Sequence, residues 1–354
     1  MKKIISGFVA VLWLGITACS TEVETNAPYQ EIPVVYAVLN PDSAFQYIRI
    51  TKGFLNNAGQ DARVIAKTDT NQLYYRNGEL DVKLISTTTR DVTDTLATFT
   101  EVRNNAKQAD GDFAYPEQKL YRSVNTVLLT QPLGTIYQIV VTNKITGKQV
   151  KATTNLVGGY TINSPSEINP NSPINNFDFR VDGKGATNFI AISPAPNNAA
   201  IFKANLKINV RETYTDGSIK DTSILWTNVA SPLIVGTNNT INRDVEANGF
   251  FELLLSTFKN NNGIASREFL PSEFLFYAGN SDFQKYLDLL NNYSPVSQTR
   301  PIYNNISGGL GLWTSVRNKR IPIRISNNTV NEMNFVEFGS ARRPDLFALK
   351  FKTI

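Results

Sequence analysis

The chain has 354 residues, of which 35 are basic, 30 acidic, none histidine and one cysteine. Without imidazole, Ser-His-Asp and Cys-His catalysis, His-ligated zinc and the zinc deaminase centre cannot be assembled, which leaves carboxylates, Tyr, Lys and Ser-Lys arrangements. The basic residues are scattered among strand and turn segments, so there is no electrostatic footprint for nucleic acid.

Residues 1–18 read as a secretory signal. Lys2 and Lys3 form the positive end, and the apolar run 4–16 is shorter than the ~20 residues a spanning helix needs. Ile16-Thr17-Ala18-Cys19 follows. This resembles a bacterial lipobox, with Ile16 where Leu is usual, and it places the chain's single cysteine at the residue that becomes lipidated. The alternative is a freely secreted protein with a stray cysteine. Cys19 bound to lipid leaves no thiol for disulfides or redox chemistry. Ser20 is not the Asp that retains lipoproteins at the inner membrane, so an outer-membrane location is expected. Glu22 and Glu24 leave the periplasmic or surface orientation open. With Lys2 and Lys3 removed, 33 basic residues face 30 acidic ones, a balance that suits ordinary solvated surface charge.

Residues 19–28 are polar, acidic and aperiodic, as a tether between lipid and fold would be. From there, short β-branched and aromatic runs alternate with turn clusters at 32–39, 47–51, 80–86, 126–129, 136–142 and 149–154. This spacing predicts an N-terminal immunoglobulin-like antiparallel β-sandwich over 29–160. In the second run Ile48 and Ile50 point one way while Tyr47, Arg49 and Thr51 point the other. The runs 136–142 and 148–154 form a hairpin through Asn143 and Gly147. Ser, Pro and Asn accumulate over 161–173 and mark a boundary. A β-rich domain with a few helices is predicted over 161–354, making the whole chain mainly β. Its strands are expected at 177–181, 188–193, 200–215, 218–226 and 274–277, with a hairpin turn at Asp216-Gly217. Helical spacing predicts helices over 244–259 and 281–291, the latter capped by Ser281 with a stripe of Phe283, Tyr286, Leu287 and Leu290.

Two stretches carry a resemblance. Residues 32–39, Ile-Pro-Val-Val-Tyr-Ala-Val-Leu, with 47–55, Tyr-Ile-Arg-Ile-Thr-Lys-Gly-Phe-Leu, resemble the opening of a large family of Bacteroidota envelope lipoproteins. Residues 303–313 are similar to that family's Asn-Ile-x-x-Gly-Leu-Gly-Phe-type segment, with Trp313 where Phe is commoner. The family has no established activity and so carries over no catalytic residue. The resemblance implies a lipid-anchored envelope protein beside outer-membrane uptake or secretion machinery. It also implies Asp-Ser/Thr-aliphatic glycosylation motifs, which Ser43 and Thr95 fit.

The remaining constellations are local. Gly308-Gly309-Leu310-Gly311 could cradle an anion only if a helix followed, and Trp313 to Val316 instead reads as a strand, so a turn or bulge with positive φ is expected. Asp110-Gly111-Asp112 lacks the spaced ligands of a calcium loop and reads as a surface turn. Tyr74, Tyr75, Trp226, Tyr293, Tyr303 and Trp313 could stack on sugars or pack a core. Of these, Tyr293, Tyr303 and Trp313 are the candidate ligand contacts. No catalytic residue, metal ligand or cofactor is assigned.

The function expected is a non-catalytic binding or accessory module for a glycan, a peptide or an outer-membrane transport partner. The alternative is a carboxylate-dependent polysaccharide hydrolase, for which Glu273, Glu332 and Glu337 are available carboxylates. Mass spectrometry of the mature N-terminus should find an acylated Cys19, and Cys19→Ala should release the protein from the membrane. An unmodified N-terminus elsewhere would refute lipidation.

Overall fold

A computed structural model describes residues 31–353, apart from 54–63, 106–116, 131–133, 172–174, 181–187, 235–239 and 292–301 and positions 65, 68–69, 128, 130, 170, 194–195, 260, 338–339 and 342. The signal, Cys19, the tether, Asp110-Gly111-Asp112 and Tyr293 lie outside the described residues. The fold is mainly β, with a large mixed sheet and few helices.

The first half is built from β1 (Pro33–Leu39), β2 (Tyr47–Lys52), β3 (Leu80–Thr87), β4 (Thr93–Asn104), β5 (Gln118–Ser123), β6 (Ile136–Asn143) and β7 (Gln149–Asn155). Strand β4 joins two layers. Its first half pairs with β3, down to Lys83↔Thr98, and its second half pairs with β5 from Phe99↔Ser123. One layer is therefore β1-β2-β5 and the other β3-β6-β7, closed over Val35, Ile48, Ile50, Val82, Leu84 and Ile139. Period-2 alternation gives each strand one apolar face, and burying those faces against each other is the main stabilising term.

Polar content hid two strands. In β4 the residues Thr93, Asp94 and Thr95 are exposed, and β5 turns a lysine inward. Lys119 is 1% exposed, with Nζ 2.7 Å from Glu101 Oε2 and donating to the Tyr75 carbonyl. A buried ammonium is tolerable only with such partners. Of the strand expected at 126–129, the described residues 126, 127 and 129 form none. Val127 and Leu129 are buried from a loop instead, with Val127 N–H donating to Ala44 O. Those side chains fill the core without making a ladder.

The second half contains β8 (Thr161–Ser164), β9 (Asn176–Phe177), β10 (Phe189–Ser193), β11 (Ile201–Tyr214), β12 (Ile219–Ile234), β13 (Ile241–Asp244), β14 (Ile264–Gly279) and β15 (Leu310–Ile325). The order β12-β11-β14-β15 makes the large sheet, and β13-β10-β8 a smaller one. Both contribute to one core with the helix Ala247–Thr257, whose Phe250, Phe251 and Leu254 are buried. The Asp216-Gly217 turn is present, with Gly217 at φ +84° and the Asp216 carboxylate accepting from Ser218 N. At 177–181 only Asn176–Phe177 is strand, and Val181 lies outside the described residues. Phe179 leaves the ladder to stack on Phe250, ring centres 4.0 Å apart.

The helix Ser281–Asn291 matches expectation in extent, but its cap does not. Asn280, not Ser281, accepts from Phe283 N through Oδ1 at 3.1 Å. No residue of that helix is fully buried, so its apolar stripe lies over the sheet end only half covered.

Strand β15 belongs to both halves. Leu310 to Ser315 run parallel to β1, and Val316 to Ile323 run antiparallel to β14. Ile306 and Trp313 thus pack in the first core, and Ile321 and Ile323 in the second. Val157 and Tyr160, placed by the sequence at the end of the first unit, pack in the second core. The glycine segment sits where β15 meets β1. Gly311 has φ +126°, and a Cβ there would strike the Val35 carbonyl oxygen. That is a close backbone approach in a conformation only glycine adopts easily. Gly311→Ala should cost at least ~1–3 kcal/mol from the backbone conformation alone, with the clash added. Chemical denaturation would measure it, and wild-type stability would refute the parallel β1–β15 register.

Candidate functional site: a cleft where the large sheet splits

The β14–β15 ladder ends at Ser272↔Ile323. The next residue of β14 is Pro271, which has no N–H to continue the ladder. The irregularity is held by side chains. Ser272 Oγ accepts from Asn209 N at 3.1 Å and donates to Leu270 O at 3.0 Å, while Asn209 Nδ2 donates to Pro271 O at 2.6 Å. Strand β15 meanwhile turns to pair with β9, Arg324 opposite Asn176. The two strands diverge, and a cleft of about 730 Å³ opens between them. That volume is in the range of small-molecule sites.

One wall carries Arg211 and Glu268, the other Arg324, with Asn176, Asn327 and Asn328 around the mouth. Arg211 grips Asp221 with two hydrogen bonds of 2.8 and 2.9 Å, and Glu268 lies 3.7 Å away. The fork holds the Asp221 carboxyl below its ordinary range and raises Arg211, in both cases chiefly through the hydrogen bond. Glu268 also lies 3.9 Å from Lys352. The Arg324 side chain is exposed, and its guanidinium makes no hydrogen bond or ion pair among the described residues. Among the described residues the cleft therefore presents one cation without an ion pair, several carboxamides and the carboxylate of Glu268, with Asp178 behind Ser326 and Asn328 and paired to Arg180 at 3.5 Å.

Such a lining binds more readily than it cleaves. Carboxylate glycosidases need two carboxyls flanking one bond, and among the described residues Glu268 is the carboxylate that lines this cleft. Glu273 is engaged elsewhere, 3.6 Å from Lys207 and 3.7 Å from Arg320. Glu332 lies on the helix Asn327–Met333, and the side chain of Glu337 is outside the described set. Among the described residues no cluster of His, Cys, Asp and Glu is arranged to hold a metal ion.

The aromatic candidates behave differently from expectation. Trp313 is 1% exposed, its indole N–H donating to Tyr137 O at 3.1 Å, so it is a core residue and touches no ligand. Asn305 fastens its backbone, accepting from Trp313 N and donating to Trp313 O. Tyr303 is half-buried and donates to Asp282 Oδ1 at 2.6 Å. Burial first, then that hydrogen bond and the Asp282 charge, push its phenol pKa up. Tyr74 and Tyr75 are buried, and Trp226 packs 6.3 Å from both Phe179 and Phe250. The described members of this candidate set thus assemble no stacking platform. Among the glycosylation motifs, Thr95 is exposed on β4 while the Ser43 hydroxyl donates to Phe45 O.

Sequence reasoning missed Arg211, Glu268, Arg324 and the asparagines. The available signal was Pro271 inside an otherwise continuous strand pattern, which marks where a ladder must stop. No family model and no curated protein matches the chain. Among solved structures, the crystal structure of CBD12 from CALX1.2 aligns with 83% of this chain and 99% of its own, at 8% identity and a TM-score of 0.17. A likeness that low carries no argument.

Trp313→Ala should lower stability by ~3–5 kcal/mol, seen as a reduced denaturation midpoint, with Trp313→Phe recovering part of the loss. A midpoint unchanged by alanine would contradict the buried position.

Proposed function

We propose that the protein is a non-catalytic binding module of the bacterial envelope, held to the outer membrane by lipid on Cys19 and taking its ligand in the β14–β15 cleft. The observation that carries this reading is the cleft itself. It is a preformed space of about 730 Å³ with an unpaired guanidinium and three asparagines, and among the described residues that line it there is a single carboxylate, Glu268. The signal segment and the resemblance of 32–55 and 303–313 to Bacteroidota envelope lipoproteins support the location. A tether of about ten residues reaches at most ~35 Å, which keeps the cleft close to the membrane. Glycans, peptides and outer-membrane transport partners are the ligands that this place makes available.

The test is binding by the mature chain to immobilised envelope polysaccharide and peptide fractions. Arg324→Ala combined with Asn328→Ala should weaken retention by about tenfold or more, since a charge-assisted hydrogen bond contributes ~1.5–3 kcal/mol. Far-UV circular dichroism should stay unchanged. Retention that is indifferent to both substitutions would remove the cleft from the function. Release of sugar from the polysaccharide that stops on Glu268→Gln would replace binding with hydrolysis.

A further inference from the structure

The cleft's chemistry narrows its occupant. We infer that it takes a saccharide carrying a carboxylate, gripped by Arg324. This rests on the binding reading above and goes beyond it in naming the ligand class.

Charge is the first argument. Among the described residues, each guanidinium on this face of the sheet has a counter-charge except Arg324, and the other unpaired cation of the face, Lys203, stands beside Tyr277 at the far end of β11, away from the cleft. Arg211 is answered by Asp221 and Glu268, while Lys207 and Arg320 share Glu273. Of the carboxylates that would repel an anion, Glu268 has Arg211 at 3.7 Å and Lys352 at 3.9 Å, and Asp178, behind Ser326 and Asn328, has Arg180 at 3.5 Å. A single planar guanidinium with five donors and no partner matches a planar, singly charged, two-oxygen group.

The second argument concerns the other donors. Asn176, Asn327 and Asn328 line the mouth with carboxamides, a group that has both a donor and an acceptor side, and Asn328 Nδ2 already donates to Asp178 Oδ2 at 3.4 Å. Sugar hydroxyls are likewise both donor and acceptor. Leu270 and Pro271 give an apolar surface on the β14 wall, suited to the C–H face of a ring.

The third argument excludes an added peptide strand. The unpaired margin of β14 is closed at one end by the bridge of Arg267 to Phe351 and at the other by Ser272↔Ile323. The residues between are 268–271, and one of them is proline. A typical strand runs ~5–6 residues, so the gap is too short for an acidic peptide to extend the sheet.

Isothermal titration of the mature chain with α-1,4-linked trigalacturonate and with its fully methyl-esterified form isolates the charge while keeping the hydroxyls. The acid should bind at least tenfold more tightly than the ester. Arg324→Ala should abolish that preference, and Arg324→Lys should restore only part of it. Arg320→Ala, on the same strand and face but outside the cleft, should leave the preference intact. Equal affinity for acid and ester that Asn328→Ala weakens would overturn the carboxylate and leave the cleft a neutral-sugar site. Binding of an Asp/Glu hexapeptide in place of either saccharide would overturn the ligand class while sparing the binding reading. If Arg324→Ala and Asn328→Ala alter binding of none of these probes, the inference and the cleft assignment fall together.

Discussion

Strand β15 is hydrogen-bonded to β1 over its first six residues and to β14 over the next eight, and the two cores keep their relation through that change of partner. The crossing point is polar. Asn280, 4% exposed, donates to Thr154 Oγ1 at 2.7 Å, accepts from Thr314 Oγ1 at 2.5 Å and donates through its backbone to Ser315 O. Ser315 Oγ in turn accepts from Val157 N. Strands β7, β14 and β15 and the start of the helix Ser281–Asn291 are thus tied by one carboxamide. An apolar side chain there would leave two buried hydroxyls short of a partner, each costing about 1–3 kcal/mol. A satisfied buried network also fixes one geometry where shape packing alone would allow several.

The same pair of strands that is joined at Asn280 comes apart at Pro271. The cleft is therefore positioned by an unbroken stretch of ladder, eight paired residues from the junction, and not by a loop. Its far end is equally fixed. Arg267, 3% exposed, bonds to Glu212 at 2.9 Å, Leu349 O at 2.8 Å and Lys259 O at 3.2 Å, and its ring contact with Phe258 completes the enclosure. Breaking such a buried pair costs about 3–5 kcal/mol, so the C-terminal residues at Phe351 stay bridged to β14. Rigid walls hold binding groups in place before a ligand arrives, which lowers the entropic cost of association.

What was legible in the sequence follows the same physics. Strands with strict alternation, such as Lys203 to Arg211, and turns with glycine at positive φ could be read because local chemistry decides them. Strands β4 and β5 could not, because their buried face includes Lys119 and Glu101, whose pairing exists only once the layers close. Trp313 looked like an exposed contact beside a glycine turn. Its burial depends on β15 docking beside β1, a contact across nearly the whole chain. The cleft was hidden for a similar reason. Pro271 announced a break in a strand, but which side chains would border the gap depended on the register of β11 and β15.

Charge pairing on the outward face of the large sheet gives the cleft its distinctiveness. Across β12, β11 and β14, Asp221, Arg211 and Glu268 stand in one register row, and Glu273 on β14 meets Lys207 across the ladder while Arg320 approaches it from β15. These exposed pairs contribute only tenths of a kcal/mol to about 1 kcal/mol each, so their chief effect is to leave the face locally neutral. Against that ladder of pairs Arg324 stands at the mouth of the cleft with no ion pair among the described residues. Long-range attraction fades over about 8 Å at physiological salt, so selectivity must come from contact inside the cleft. The fold meets that requirement by making the only unanswered guanidinium on this face, among the described residues, a wall of the cleft between β14 and β15.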